Sequence, residues 1–123
     1  QFKQLKALTP APITFILNAT KDVPKKLAHA KKKTIGIRVP SNPIAQALLE
    51  AMDEPILTSS LILPNRDDIL DDPFEIEDLL GNQIDGLINA GIKTTKLTTI
   101  VDMTGSQPEI IRQGAADVDS LLR

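Results

Sequence analysis

Arg38 is a lone cation in the apolar, β-rich run Thr34-Ile35-Gly36-Ile37-Arg38-Val39, and a proline and a helix start follow at once. None of these neighbours can neutralise it. A guanidinium at the end of a buried strand meets an anion, either a structural carboxylate or a ligand phosphate or carboxylate, because its planar fork of donors matches both. Arg112 offers a second fork in Ile110-Ile111-Arg112. Hydroxyls recur in apolar company: Thr14 inside Ile13-Thr14-Phe15-Ile16-Leu17, Thr58-Ser59-Ser60 between two apolar runs, and Thr98-Thr99 ahead of Ile100-Val101. Two arginines and these hydroxyls could line one polar cavity suited to a small zwitterion or a nucleotide phosphate. For any single threonine, strand propensity is a sufficient explanation.

Other chemistry is thinner. His29 is the single histidine and there is no cysteine, so thiolate nucleophiles, disulfides and zinc sets drop out, and a Ser-His-Asp site is not expected. No phosphate-cradling glycine loop or dinucleotide fingerprint is present. Lys21, Lys25, Lys26, Lys31, Lys32 and Lys33 make a basic stretch, read either as a solvated loop or as a contact for a phosphate backbone such as tRNA. Asp67, Asp68, Asp71, Asp72, Glu75, Glu77 and Asp78 make an acidic one, read as a charged loop and helix start rather than a metal site.

These residues need elements to hold them. Phe2–Leu8 reads as the tail of a helix stopped at Thr9-Pro10. Ile13–Leu17 and Thr34–Val39 read as strands, the second buried on both faces because its apolar run does not alternate. Lys21–Lys33 is a loop with one helical turn at Pro24-Lys25-Lys26-Leu27. Ser41 or Asn42 caps a helix with Pro43 in its first turn and Ile44, Leu48 and Met52 on one face, ended by Pro55. A strand or strand pair is expected over Ile56–Leu63. Asp72-Pro73-Phe74-Glu75 opens a helix to Leu80, stopped at Gly81. Strands follow at Ile84–Asn89, Thr98–Met103 and Glu109–Arg112. A tight turn at Gly105 pairs Val101 with Ile111 in antiparallel fashion, and a short helix covers Asp117–Leu122. The expected fold is α/β, a twisted, open, mixed sheet with helices packed on it.

The 123 residues suffice for one domain with one core, and 41% apolar content with 24% charge fits a globular chain. A net charge of −2 gives no global pull toward nucleic acid or anionic membrane, and no apolar run is long enough to span a bilayer. With only Phe2, Phe15 and Phe74 as aromatics, stacking platforms for single-stranded nucleic acid are not expected. The opening Phe2-Lys3-Gln4-Leu5-Lys6 reads as the middle of a helix without a cap, so the single domain over residues 1–123 is expected to lack its N-terminal part.

Four ordered segments resemble the YrdC/YciO family, best known for L-threonylcarbamoyladenylate synthases. Pro10-Ala11-Pro12-Ile13-Thr14 is similar to the family's Pro-Gly-Pro-x-Thr strand. Ile35-Gly36-Ile37-Arg38-Val39-Pro40 is similar to its Gly-hydrophobic-Arg-hydrophobic-Pro motif, the most specific of the four. Leu97-Thr98-Thr99-Ile100-Val101-Asp102 resembles its Pro-Ser-Thr-hydrophobic-hydrophobic-Asp strand. Ile110-Ile111-Arg112-Gln113-Gly114 resembles its hydrophobic-Arg-x-Gly strand.

The resemblance implies a concave, positively charged cavity. It also implies a nucleotidyl transfer that joins L-threonine, bicarbonate and ATP, with Mg2+ as the accompanying metal, into threonylcarbamoyl-AMP for tRNA threonylcarbamoyladenosine. Thr14, Arg38, Ser60, Thr98, Thr99 and Arg112 would contact amino acid or nucleotide, and no nucleophilic side chain is required. Three departures stand out. The family's Lys-x-Arg motif has no counterpart here, Ile62 replaces the Asn of its Ser-Ala-Asn motif as in the YciO-like branch, and Ala11 replaces a glycine.

This chain alone is therefore expected to be inactive, cytoplasmic and able to self-associate through exposed sheet edges. Two other readings stay open. One is a non-catalytic tRNA or double-stranded RNA module using Lys25, Lys26, Lys31, Lys32 and Lys33. The other is a nucleotide-binding sensor.

Overall fold

A computed structural model describes residues 2–119. Four strands form one mixed sheet: β1 Ile13–Asn18, β2 Thr34–Ile37, β3 Thr99–Asp102 and β4 Glu109–Arg112, in the order β2-β1-β3-β4. β1 is antiparallel to β2 and parallel to β3, and β4 closes antiparallel on β3. The expected mixed α/β fold is therefore present. The chain divides into two compact units, one made of the stretches before Thr58 and after Lys96, the other of Thr58–Lys96.

In the first unit, β1 and β3 alternate strictly, which sends Ile13, Phe15, Thr99 and Val101 to one face, all buried. Met103 and Val118 join them, and Leu5 and Leu8 from helix α1 (Phe2–Leu8) pack on the same cluster. Thr9 Oγ1 donates to the Leu5 carbonyl at 2.9 Å and closes the last turn of α1. Helix α2 (Pro43–Met52) starts where Asn42 Oδ1 accepts from the Ile44 and Ala45 amides at 2.8 and 3.2 Å. It ends on Asp53 in a left-handed conformation at φ 54°, before Pro55 is reached. Its apolar residues Ile44, Leu48 and Met52 remain substantially exposed.

In the second unit, Asp72 Oδ1 accepts from Phe74 N at 2.9 Å and starts helix α3 (Pro73–Leu80), as the cap, proline and glutamate predict. Arg66 pairs there with Glu75 at 3.0 Å across exposed side chains.

Several expectations need correction. Ile56–Leu63 and Ile84–Asn89 are extended or turning segments, not strands; Leu57 is 81% exposed and Ile88 62%. β-branched composition favours a pleated conformation, but a ladder needs a neighbouring edge, and neither segment has one. β2 is an edge strand with Ile37 and Val39 half exposed, not a strand buried on both sides. The β3–β4 link is a loop from Met103 to Pro108, not a tight turn. The ladder also slips by one residue: Val101 faces Ile110, Ile100 faces Arg112, and Ile111 bulges out half exposed. The slip returns Ile110 to the core cluster and keeps Arg112 on the opposite face. Of the segment expected as a C-terminal helix, Asp117–Asp119 are described, with Asp117 Oδ1 accepting from Asp119 N; Ser120–Leu122 lie outside the described residues.

Candidate functional site

The face of the sheet opposite the core carries the polar side chains. One row crosses it. The ladder pairs Thr14 with Ile100 and Ile100 with Arg112, while Arg38 comes directly after the last residue of β2, where the ladder with β1 has ended. Arg112 therefore stands on this face at the β4 edge, and Arg38 lies just past the end of β2, the strand at the other edge of the sheet.

Within the row, Arg112 is fastened by its fork to the Thr98 carbonyl, with Nε donating at 3.0 Å and Nη2 at 2.8 Å. Nη2 also donates to Thr98 Oγ1 at 3.2 Å, and Thr98 Oγ1 lies 2.8 Å from Thr14 Oγ1. These groups are half-buried, so their geometry is held by packing as well as by bonds. Of the two hydroxyl protons, one is spent between the threonines and the other is left to donate to a guest. Arg112 Nη1 and the whole exposed Arg38 guanidinium make no hydrogen bond or ion pair among the described residues. The unpaired cation of the sequence therefore has no structural carboxylate.

Thr99 points the other way. Its hydroxyl donates to the Ala116 carbonyl at 2.6 Å and accepts from Gly114 N at 2.9 Å and Ala116 N at 3.1 Å, fully buried. Gly114 makes this crossing possible, because a Cβ there would collide with the Leu97 carbonyl and the Thr98 backbone. Ser60 is exposed in the second unit, and its hydroxyl makes no hydrogen bond among the described residues. The row thus unites Thr14, Thr98 and Arg112, leaves out Thr99, and has Arg38 beyond it, just past the end of β2.

Two residues further along the strands, about 7 Å away, the same face opens into a depression of about 460 Å³ lined by Ile16, Asn18, His29, Lys32, Thr34, Asp102 and Thr104. Asp102 Oδ1 accepts from both Thr104 Oγ1 at 2.6 Å and Thr104 N at 2.8 Å. These bonds, the hydroxyl first, hold the carboxyl below its ordinary range; Lys32 adds a smaller pull the same way and partial burial opposes them. His29 Nδ1 accepts from the Lys31 and Lys32 amides at 3.2 and 3.1 Å, while its backbone N donates to the Thr34 carbonyl at 2.8 Å. The imidazole thereby folds the lysine loop beside the sheet, and the ring proton belongs on Nε2. Lys25 and Lys26 lie on a short 3₁₀ turn, and Lys31, Lys32 and Lys33 on the loop shaped by His29, all exposed.

The Sua5/YciO/YrdC family model, described as telomere recombination, matches residues 1–114. The chain belongs to this family. It is 50% identical over 121 residues to the uncharacterized protein YciO of Escherichia coli, across 98% of this chain and 59% of YciO. The crystal structure of E. coli YciO superposes with a TM-score of 0.89 at 49% identity, covering 98% of this chain and 58% of that one. A threonylcarbamoyl-AMP synthase of Pyrococcus abyssi is 25% identical over 117 residues, which is 94% of this chain and 34% of the synthase. P. abyssi Sua5 complexed with L-threonine shares the fold, with a TM-score of 0.78 at 23% identity over 92% of this chain and 33% of Sua5. The chain thus spans less than two thirds of the length of its YciO relatives.

Among family motifs, the Pro-Ser-Thr-hydrophobic-hydrophobic-Asp strand holds more than the hydroxyls that motif reasoning selected. Asp102 shares the open face with Thr98, and the signal was the period-2 spacing of Thr98, Ile100 and Asp102. The part played by His29 carries no comparable signal, because a loop brings it there. No helix among the described residues is long and apolar enough to cross a membrane.

Proposed function

We propose that this chain supplies one wall of the substrate cavity for a reaction of the threonylcarbamoyl-AMP synthase type. That reaction joins L-threonine, bicarbonate and ATP and releases pyrophosphate, and its product serves tRNA modification. The observation that carries the reading is the Arg112–Thr98–Thr14 network, with the unpaired Arg38 just past the end of β2 at the other edge of the sheet. The names of the P. abyssi relatives give it its substrates.

Arg38 and the free Nη1 of Arg112 hold carboxylate or phosphate oxygens, and the spare hydroxyl proton orients one of them. Cations fixed before the reaction begins stabilise charge as it moves onto pyrophosphate, without a nucleophilic side chain. On this reading magnesium accompanies the nucleotide phosphates as their counter-ion.

Calorimetric titration of the chain with L-threonine tests the binding half. Arg112→Ala should weaken binding about tenfold or more, the worth of a charge-assisted hydrogen bond. Binding indifferent to both Arg112→Ala and Arg38→Ala overturns the reading. The turnover half is tested in a protein of the relatives' full length, where pyrophosphate release from ATP should require L-threonine and bicarbonate together.

A second reading, RNA binding, is favoured by one observation: Lys25, Lys26, Lys31, Lys32 and Lys33 are all exposed on one folded loop and none has an ion-pair partner among the described residues. Under it, replacing Lys31, Lys32 and Lys33 by alanine flattens the salt dependence of tRNA binding.

A further inference from the structure

The turn that carries Lys31, Lys32 and Lys33 is closed by bonds of two kinds. Its neck is backbone. His29 N donates to the Thr34 carbonyl at 2.8 Å, Lys33 N donates to the His29 carbonyl at 2.9 Å, and Ala19 N, directly after β1, donates to the Lys33 carbonyl at 2.9 Å. Its tip is held by a single side-chain atom. His29 Nδ1 accepts from the Lys31 and Lys32 amides at 3.2 and 3.1 Å, the spacing at which an Asn or Asp side chain caps its own turn. No other acceptor meets either amide among the described residues. Lys33 turns the chain back at φ 52°, in the left-handed region that a lysine adopts at a cost, so the closed tip needs a bond to hold it.

Nδ1 can accept only while it carries no proton. An imidazolium donates at both nitrogens, and its Nδ1–H would meet two other donors and no acceptor. The charges around the ring are of both signs. β3 brings Asp102 to the depression that His29 lines, and β1 brings Ile16 and Asn18, which do not titrate. The loop brings Lys32 to the same lining, with Lys31 and Lys33 beside it and Lys25 and Lys26 on the preceding 3₁₀ turn. Asp102 favours an imidazolium and the lysines oppose it, but neither changes which atoms each form of the ring can bond.

We infer that His29 is a proton-operated latch for the lysine turn: the neutral ring holds the Lys31–Lys32 tip closed, and protonation frees the tip while the backbone neck stays intact. Histidine is the side-chain type whose ordinary titration falls between about pH 5 and pH 8. What the latch moves is charge. Lys32 lines the depression while its amide is held, so opening the tip carries that cation and Lys31 away from the sheet face. The inference is independent of which ligand that face takes.

The test uses the whole chain, whose single histidine gives unambiguous ring signals. NMR from about pH 8 to about pH 5 follows the ring nitrogens and the amide protons of Lys31, Lys32 and Lys33. At the alkaline end Nδ1 should be the bare nitrogen. As the ring takes up its proton, the Lys31 and Lys32 amide signals should move upfield along the ring's own titration curve. The Lys33 amide, bonded to a carbonyl, should move far less. His29→Asn supplies an acceptor of similar reach that does not titrate, and should keep both amides downfield throughout. His29→Ala should leave them in their open positions throughout. At the alkaline end trypsin should cut His29→Ala after Lys31 and Lys32 several-fold faster than the unaltered chain, the worth of a lost hydrogen bond, and His29→Asn no faster.

A proton on Nδ1 at the alkaline end, or Lys31 and Lys32 amides that do not follow the ring, overturns the inference in the unaltered chain, whichever variants fold. Equal cleavage of His29→Ala and the unaltered chain overturns it as well.

Discussion

The two faces of the sheet use the same residue type for opposite ends, and adjacent Thr98 and Thr99 show it. Thr99 faces the core, where its hydroxyl is saturated by three backbone groups of Gly114 and Ala116. Thr98 faces away and links Arg112 to Thr14, leaving a hydroxyl proton and a guanidinium nitrogen for something outside the chain. A buried polar group must be fully paired, whereas a half-buried one can stay partly unpaired because water serves until a ligand arrives. Saturation, rather than residue type, separates the core face from the open face.

The widest gap between the faces should come from size deletion in β1. Phe15 is 1% exposed at the centre of the core cluster, and Phe15→Ala should cost about 3–5 kcal/mol, enough to unfold a marginal domain. Its neighbour Ile16 faces the depression half-buried, so Ile16→Ala should cost about 1 kcal/mol or less of the same quantity. Urea unfolding of the two variants checks this, and comparable losses would erase the distinction between the faces.

The threonine pair gives the next effect. Thr99→Val keeps the shape but strands the Gly114 and Ala116 amides and the Ala116 carbonyl, and should cost about 1–3 kcal/mol. Thr98→Val should cost under about 1 kcal/mol, since Arg112 keeps its bonds to the Thr98 carbonyl, but it should weaken L-threonine binding several-fold. Thermal unfolding and titration together separate the two. A Thr99 variant that lost only binding would reverse the assignment.

Much of the fold was legible because its signals are local. Asn42-Pro43 and Asp72-Pro73 announce two helix starts by side chains that can reach their own amides, and both caps form. β1 is read from its β-branched and aromatic composition. Ile56–Leu63 and Ile84–Asn89 have the same composition, yet whether such a run becomes a strand depends on an edge elsewhere in the chain. The site divides likewise. Arg38 and Arg112 stood out by type, and the family motifs brought in Thr14 and Thr98. That Thr98 and Thr99 part company, and that the bulge at Ile111 keeps Arg112 on the open face, follow from sheet register. His29 reads as an ordinary surface histidine until its ring is seen folding the loop that delivers Lys32.

The smallest effect concerns acid. Asp102 has a folded-state pKa below its ordinary value of 3.8, first through the Thr104 hydroxyl and then through the Thr104 amide. A depressed carboxyl stabilises the fold fully above its ordinary value, and that contribution is lost as pH falls through the lower folded value. Thr104→Ala removes the hydroxyl bond and keeps the amide bond, so the Asp102 carboxyl should titrate closer to 3.8 and the acid-side decline in stability should become shallower. Carboxyl-carbon NMR titration reads the first and acid unfolding the second. On the core face the equivalent change, at a threonine with no titrating partner, should leave the pH profile as it was and lower stability evenly. An Asp102 titration unmoved by Thr104→Ala would mean that the backbone amide of the turn, not the Thr104 hydroxyl, holds the carboxylate, and the side chain would then be the replaceable part of the turn.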